Sequence, residues 1–348
     1  MGGRLGCAGL LAGLLLVSVV RPAAGGAGEP REWLLSTIAP EGSPSGNTVD
    51  AIARLLTRAS GGGIKAKRRM GGVLGDEQNT ALRCQKGQIQ VWAGSLGALV
   101  PLVPELRFLE QPYMFPDIAT FRRVMKPFQY GRGPELAPLF ERRGLVPLGV
   151  VPVGWRNIST VRRPVRSPAD LRGMSVRVQP GGLHDQIWKT WGAVPRPIAL
   201  TELNSALEVR LVEAFDVQAT FVYATSLDAR IKYYTITRHV FTTGVAVVNK
   251  EAWDGLPEAW RRKIRAGADE IISRGSDEHI QFDEDLIALL PRRGVEIIRP
   301  GAAEMAEFRS VAAPVERHIR ATASAEELRL FERIKGLVDK ARLGAEPP

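Results

Sequence analysis

The chain has 348 residues, 45% hydrophobic and 24% charged, with a formal net charge of +10. This is the composition of a soluble globular protein, and the length allows about two domains with separate cores. Only Cys7 and Cys84 are present, which excludes a disulfide framework and cysteine-rich metal sites. The basic residues come as scattered pairs such as Arg122–Arg123 and Arg261–Arg262, without interleaved aromatics, and so argue against nucleic-acid binding.

Residues 1–27 carry Arg4, then an apolar run from about Ala8 to Val20, then small residues, and read as a cleavable secretory signal. The run is shorter than the roughly 20 apolar residues of a comfortable membrane span. An uncleaved N-terminal anchor is the alternative. Downstream, EWLLSTIA (32–39) predicts a first strand, TVDAIARLLTRAS a helix capped by Asn47, and IKAKRRM a second strand. EQNTALRCQKG predicts a helix and IQVWAGS a third strand, a spacing that implies a sheet with parallel pairs. DIATFRRVMKPFQ and PELAPLFERRG predict two further helices. LVPLGVVPVGW (145–155) predicts an apolar strand that ends at Arg156.

SPADLRG predicts a capped turn with Ser167 as cap, Pro168 first and Gly173 at the exit, leading into the strand MSVRV. Helices follow at LHDQIWKTWGA and after Thr201, a short strand at EAFDVQA, and a strand entering a helix at FTTGVAVVNKEAW. Helix fills 258–290, GVEIIRP is a last strand, and helices run to about Arg342. The expected architecture is α/β and two-lobed, with hinge-crossing strands. One lobe takes 28–151 plus about 240–275, and the other takes 152–239 plus about 292–345, with a long connecting helix at 258–290.

Catalytic signatures are missing from the sequence. His184, His239, His279 and His318 lack metal-ligand spacing, and there is no nucleophile elbow, HExxH or phosphate loop. No catalytic residue, metal or cofactor is expected. The strand Ser175–Gln179 alternates Val176 and Val178 with Ser175, Arg177 and Gln179. Arg177 either faces water from a half-buried strand or projects into a cleft to grip an anion. Arg156 stands at a strand tip where the chain changes lobes, the position at which α/β proteins place ligands. Glu77 opens a helix, where it complements the helix dipole or lines a site.

Five stretches in order, GGVLGDEQNTALRCQKGQIQV, LVPELRFLEQPYMFPDIATFRRVM, GWRNISTVRRPVRSPADLRGMSVRVQP, GAVPRPIALTELNSALEVRLVEAFD and TTGVAVVNKEAWDGLP, resemble the substrate-binding proteins of TRAP (tripartite ATP-independent periplasmic) transporters. The resemblance covers roughly 32–300. It implies a periplasmic receptor, not an enzyme, that closes around a solute and delivers it to TRAP permease membrane subunits. It also implies that Arg177 pairs with a ligand carboxylate and that Arg156 assists. Glu77 matches the family's acidic loop residue, and Ser95 its polar residue after the third strand. Leu200, Asp216 and Val217 complete the expected site. The expected partner is a small organic acid, and the expected state is a monomer. The chain departs from the family pattern at Arg210, Glu213, Ala214 and Val217, and Leu200 stands where an aromatic ring is common. An apolar or larger ligand, with structural arginines, is the alternative reading.

Overall fold

The computed structural model describes residues 30–344, so the expected signal segment lies outside the described residues. The first lobe opens with β1 (Arg31–Ser36), α1 (Pro44–Ala59), β2 (Ile64–Arg69), α2 (Glu77–Gln85), β3 (Val91–Ser95) and the short α3 (Leu96–Leu99). A 3-10 turn over Pro104–Glu110 leads to α4 (Ile118–Met125) and α5 (Ala137–Glu141). Then β4 (Leu145–Thr160) crosses to the second lobe, which holds β5 (Ser175–Val178), α6 (His184–Thr190), β6 (Val194–Pro197), α7 (Leu203–Glu208), β7 (Ala214–Val217) and α8 (Ala219–Ala224). β8 (Tyr233–Asn249) returns, followed by α9 (Lys250–Asp254), α10 (Glu258–Leu289), β9 (Glu296–Ile298), α11 (Ala302–Arg309), α12 (Ala312–Thr322) and α13 (Ala325–Arg342).

The strands form one sheet in the order β2-β1-β3-β8-β4-β7-β5-β6, with β9 added beside β8. β1 pairs in parallel with β2 and β3, and β5 pairs in parallel with β6 and β7. β4 and β8 run antiparallel along their whole length and tie the two parallel halves together. Their ladder slips between Pro147 and Gly149, Pro152 and Gly154, and Arg156 and Ile158. Pro147 and Pro152 lack a donor and stand at the first two slips, and the third, at Arg156–Ile158, contains no proline.

Several expected boundaries move for local reasons. Ser43, not Asn47, caps α1: its side chain accepts from the Gly46 amide, and Pro44 takes the first helical position. α7 starts at Leu203 without a side-chain cap from Thr201, because a 3-10 turn over Leu200–Glu202 precedes it. The terminal region is not confined to the second lobe. α13 packs on α4 and on the Pro104–Glu110 turn, with Phe331 edge-on to Phe108 at 5.5 Å.

α10 spans the lobes. It lies along α1, and Gly267 makes the approach possible, since a Cβ there would meet Leu55 Cδ1 at 2.2 Å. Further along, Asp283 accepts from the Thr220 amide (2.8 Å) and hydroxyl (3.1 Å), tying α10 to the start of α8.

Gly267→Val should force Leu55 aside and lower the unfolding free energy by about 1–3 kcal/mol in denaturant titration, the usual cost of overpacking. Burial pushes the Asp283 carboxyl up to about 7 from its ordinary 3.8. The folded chain therefore holds a proton there that the unfolded chain releases, and this contribution to stability is full below pH 3.8 and fades as pH rises to about 7. Asp283→Asn should flatten that decline in melting temperature across roughly pH 4–8.

Candidate functional site

Between the lobes, at the β4–β8 crossing, lies a cavity of about 90 Å³. Glu77, Ser95, Arg156, Arg177, Leu200 and Val217 all line it, six of the seven residues expected from sequence. Asp216 does not. It is fully buried outside the cavity wall, so its expected place against a ligand is corrected to one behind Arg156.

The first lobe delivers its two polar residues from the ends of local elements. Asp76 caps α2 by accepting from the Asn79 amide, which leaves Glu77 in the first turn facing β3. The indole of Trp92 donates to Thr80 Oγ1 (3.0 Å) and pins α2 against that strand. Glu77 Oε1 accepts from the Ser95 amide (2.8 Å), and Oε2 accepts from the Ser95 hydroxyl (2.9 Å). Gly94 permits this, because a Cβ there would sit 2.6 Å from Glu77 Oε1. Desolvation in the cleft raises the Glu77 pKa above its ordinary value.

On the other side, the Pro168–Leu171 turn is a capping box in which Ser167 and Asp170 bond reciprocally. It aims β5 so that Arg177 enters the cleft, where it is only 3% exposed. The water-facing alternative for this arginine is thereby removed. Its Nε donates to the Ile198 carbonyl (2.7 Å), and its two terminal nitrogens have no protein hydrogen bond among the described residues. Burial, with the neighbouring Arg156 charge adding to it, lowers its pKa to about 10, so it stays charged at neutral pH.

Arg156 is also 3% exposed, but it is fully engaged. Its Nε donates to Asp216 Oδ2 (2.9 Å), Nη2 to Asp216 Oδ1 (3.0 Å) and to the Asp216 carbonyl (2.5 Å), and Nη1 to Gln179 Oε1 (3.2 Å). The two arginines are therefore not equivalent jaws of a clamp. Burial opposes ionisation of Asp216, yet the Arg156 charge and the His239 hydrogen bond hold its carboxyl well below the usual carboxylate range. Burial keeps His239 neutral by lowering its pKa, so its Nε2–H donates to Asp216 Oδ2 (3.0 Å) while Nδ1 accepts from the Thr237 hydroxyl (2.8 Å).

Gln179 joins the halves, and sequence reasoning did not single it out as a site residue. It stands two residues beyond Arg177 on the same strand face, which was the available signal. Its Nε2 donates to Ser95 Oγ (2.6 Å) while its Oε1 accepts from Arg156, and Gln78 adds a second crossing by donating to the Pro180 carbonyl (2.6 Å). Phe221, Gln218 and the α10 residues Ala268, Ile271 and Ile272 also line the cavity, and no local pattern connects these to Arg177. A larger groove of about 630 Å³ lies behind the hinge, between Pro112–Pro116 and α13. Among its charged groups, Lys335 lies beside Glu316 (3.7 Å) and Asp339 (3.6 Å), and Arg238, Arg309 and Arg342 leave the lining net basic.

Two α/β lobes hinged on paired long strands, with a buried cation in the closed cleft, define a two-lobed solute-binding protein. The profile of the bacterial extracellular solute-binding protein family 7 matches residues 35–322, and the chain belongs to that family, the TRAP-type receptors, which are binding proteins and not enzymes. The 2,3-diketo-L-gulonate-binding periplasmic protein YiaO of Escherichia coli is 26% identical over 245 residues, 70% of this chain and 74% of the relative. The C4-dicarboxylate-binding periplasmic protein DctP of Rhodobacter capsulatus is 24% identical over 69% of this chain and 70% of its own. A Bradyrhizobium TRAP solute-binding protein solved with α/β-D-galacturonate superposes with a TM-score of 0.80 at 27% identity, covering 88% of this chain and 100% of its own.

Asp216→Ala should leave the Arg156 charge buried without its partner. Chemical denaturation should show a loss of about 3–5 kcal/mol, the cost of breaking a buried pair from one side.

Proposed function

We propose that this chain captures a small organic carboxylate between its lobes and delivers it to the membrane subunits of a TRAP transporter. The observation that carries the reading is the buried, charged Arg177, whose terminal nitrogens lack a protein partner. Glu77 and Asp216 act on this buried cation only through space, and a ligand carboxylate would meet it with two parallel charge-assisted hydrogen bonds. Arg156 acts as a positioning residue: held by Asp216, it keeps Gln179 in place and does not itself grip the ligand. The names of related proteins support the class, since YiaO is named for a sugar-acid anion and DctP for C4-dicarboxylates.

Closure also has a structural basis. The contacts from Gln179 to Ser95 and from Gln78 to Pro180 join opposite lobes and form only when the cleft is shut, which gives the transporter a closed face distinct from the open one. The protein acts as a monomer, exported by the N-terminal segment to the periplasm.

Arg177→Ala should weaken a carboxylate ligand, found by thermal-shift screening of organic acids, by roughly 100-fold or more in calorimetry, in keeping with loss of a desolvated charge pair. Arg177→Lys should recover only part of that affinity, because an ammonium lacks the fork. An unchanged Kd in the alanine variant, with folding intact by circular dichroism, would contradict the assignment.

A further inference from the structure

The cavity's polar groups differ in what they leave available to a ligand. Ser95 Oγ donates to Glu77 and accepts from Gln179 and from the Ala98 amide. Glu77 accepts from Ser95 through both oxygens, Gln179 is bonded at both ends of its amide, and Arg156 is held by Asp216. At the hinge, Gln218 Nε2 and Thr242 Oγ1, on two residues that line the cavity, are buried and have no partner among the described residues. The terminal nitrogens of Arg177 are the charged donors left uncommitted. Away from that arginine most of the wall is apolar, formed by Val49 and Ile52 of α1, Leu148, Val151 and Val153 of β4, and Ile272 of α10, with Ser45, Thr48 and Thr242 among its few polar members.

Each hydroxyl that a ligand buries without a partner loses its hydrogen bonds to water and weakens binding. A polyhydroxylated acid brings several hydroxyls to a site whose polar groups near Arg177 are already bonded to one another and whose remaining wall is mostly apolar. An aliphatic body instead gains affinity in proportion to the apolar surface it removes from water.

We infer that the ligand is a monocarboxylate with an apolar, aliphatic body: its carboxylate lies on Arg177 and its chain runs along β4 towards α1 and α10. The inference rests on the carboxylate reading of Arg177 and adds the chemistry of everything else in the ligand. Val151 and Val153 on the hinge strand then select against hydroxylated chains, through the hydrogen bonds they cannot make.

Calorimetry on the purified receptor, stripped of co-purifying ligand by unfolding and refolding, separates the possibilities with three probes. These are 4-methylpentanoate, D-galacturonate and the neutral 4-methylpentanamide. The expected result is that 4-methylpentanoate binds at least tenfold more tightly than D-galacturonate, and that the amide binds at least tenfold more weakly than its acid. Tighter binding of D-galacturonate would overturn the aliphatic-body inference while leaving the carboxylate reading intact. Equal binding of amide and acid would overturn the carboxylate reading, and this inference with it. Failure of all three to bind a cooperatively folding preparation would also overturn the inference, since an open aliphatic site should take 4-methylpentanoate.

Discussion

Two buried arginines stand in one closed cleft, and Asp216 neutralises only one of them. That asymmetry organises the site. Arg156 and Asp216 form a dry pair with two side-chain hydrogen bonds and a third to the Asp216 carbonyl, and neutral His239 backs the carboxylate from the far side. Asp216 and Glu77 reach Arg177 only through space, so no carboxylate hydrogen-bonds the second guanidinium. On the proposed reading, the first pair is structural and the second cation takes the solute. Burial and its positive neighbour lower the Arg177 pKa to about 10, which is the electrostatic strain a bound anion relieves.

The fold sets this up through the long strands. β4 and β8 belong to both lobes, and their ladder slips at three places, so the cleft can change shape without unpairing the sheet. Arg156 sits on one such slip, and Gln179 reaches from its guanidinium to Ser95 across the cleft. A single chain of hydrogen bonds therefore runs from Asp216 in one lobe to Glu77 in the other. Because its members satisfy one another, the network can close the receptor while leaving the ligand's own contacts to Arg177 and the apolar wall.

Much of this was legible in the sequence. The capped turn before β5, the period-two face carrying Arg177, and the short helix starts carrying Glu77 and Ser95 depend on residues a few positions apart. Local chemistry reads them reliably. Three kinds of feature were not legible. Whether Arg177 meets water or a cleft depends on the opposite lobe, about a hundred residues away. The capture of Arg156 by Asp216 depends on β4 and β7 being neighbours, which strand patterns do not reveal. The wall from α10 comes from a helix whose long polar run gives no sign that Ala268, Ile271 and Ile272 face a ligand. The departure at Val217 was visible, but its meaning was not. In the folded chain it belongs with Phe221 and Leu200 to an apolar surface, so the lost amide is part of a consistent change and not an isolated defect.

The most direct test is a crystal structure of the receptor with the ligand it retains from its native host, identified by mass spectrometry of the released molecule. The account predicts a carboxylate with both oxygens about 2.7–2.9 Å from the terminal nitrogens of Arg177, with Arg156 still held by Asp216. A ligand whose carboxylate displaces Asp216 from Arg156, or one with no anionic group against Arg177, would contradict it.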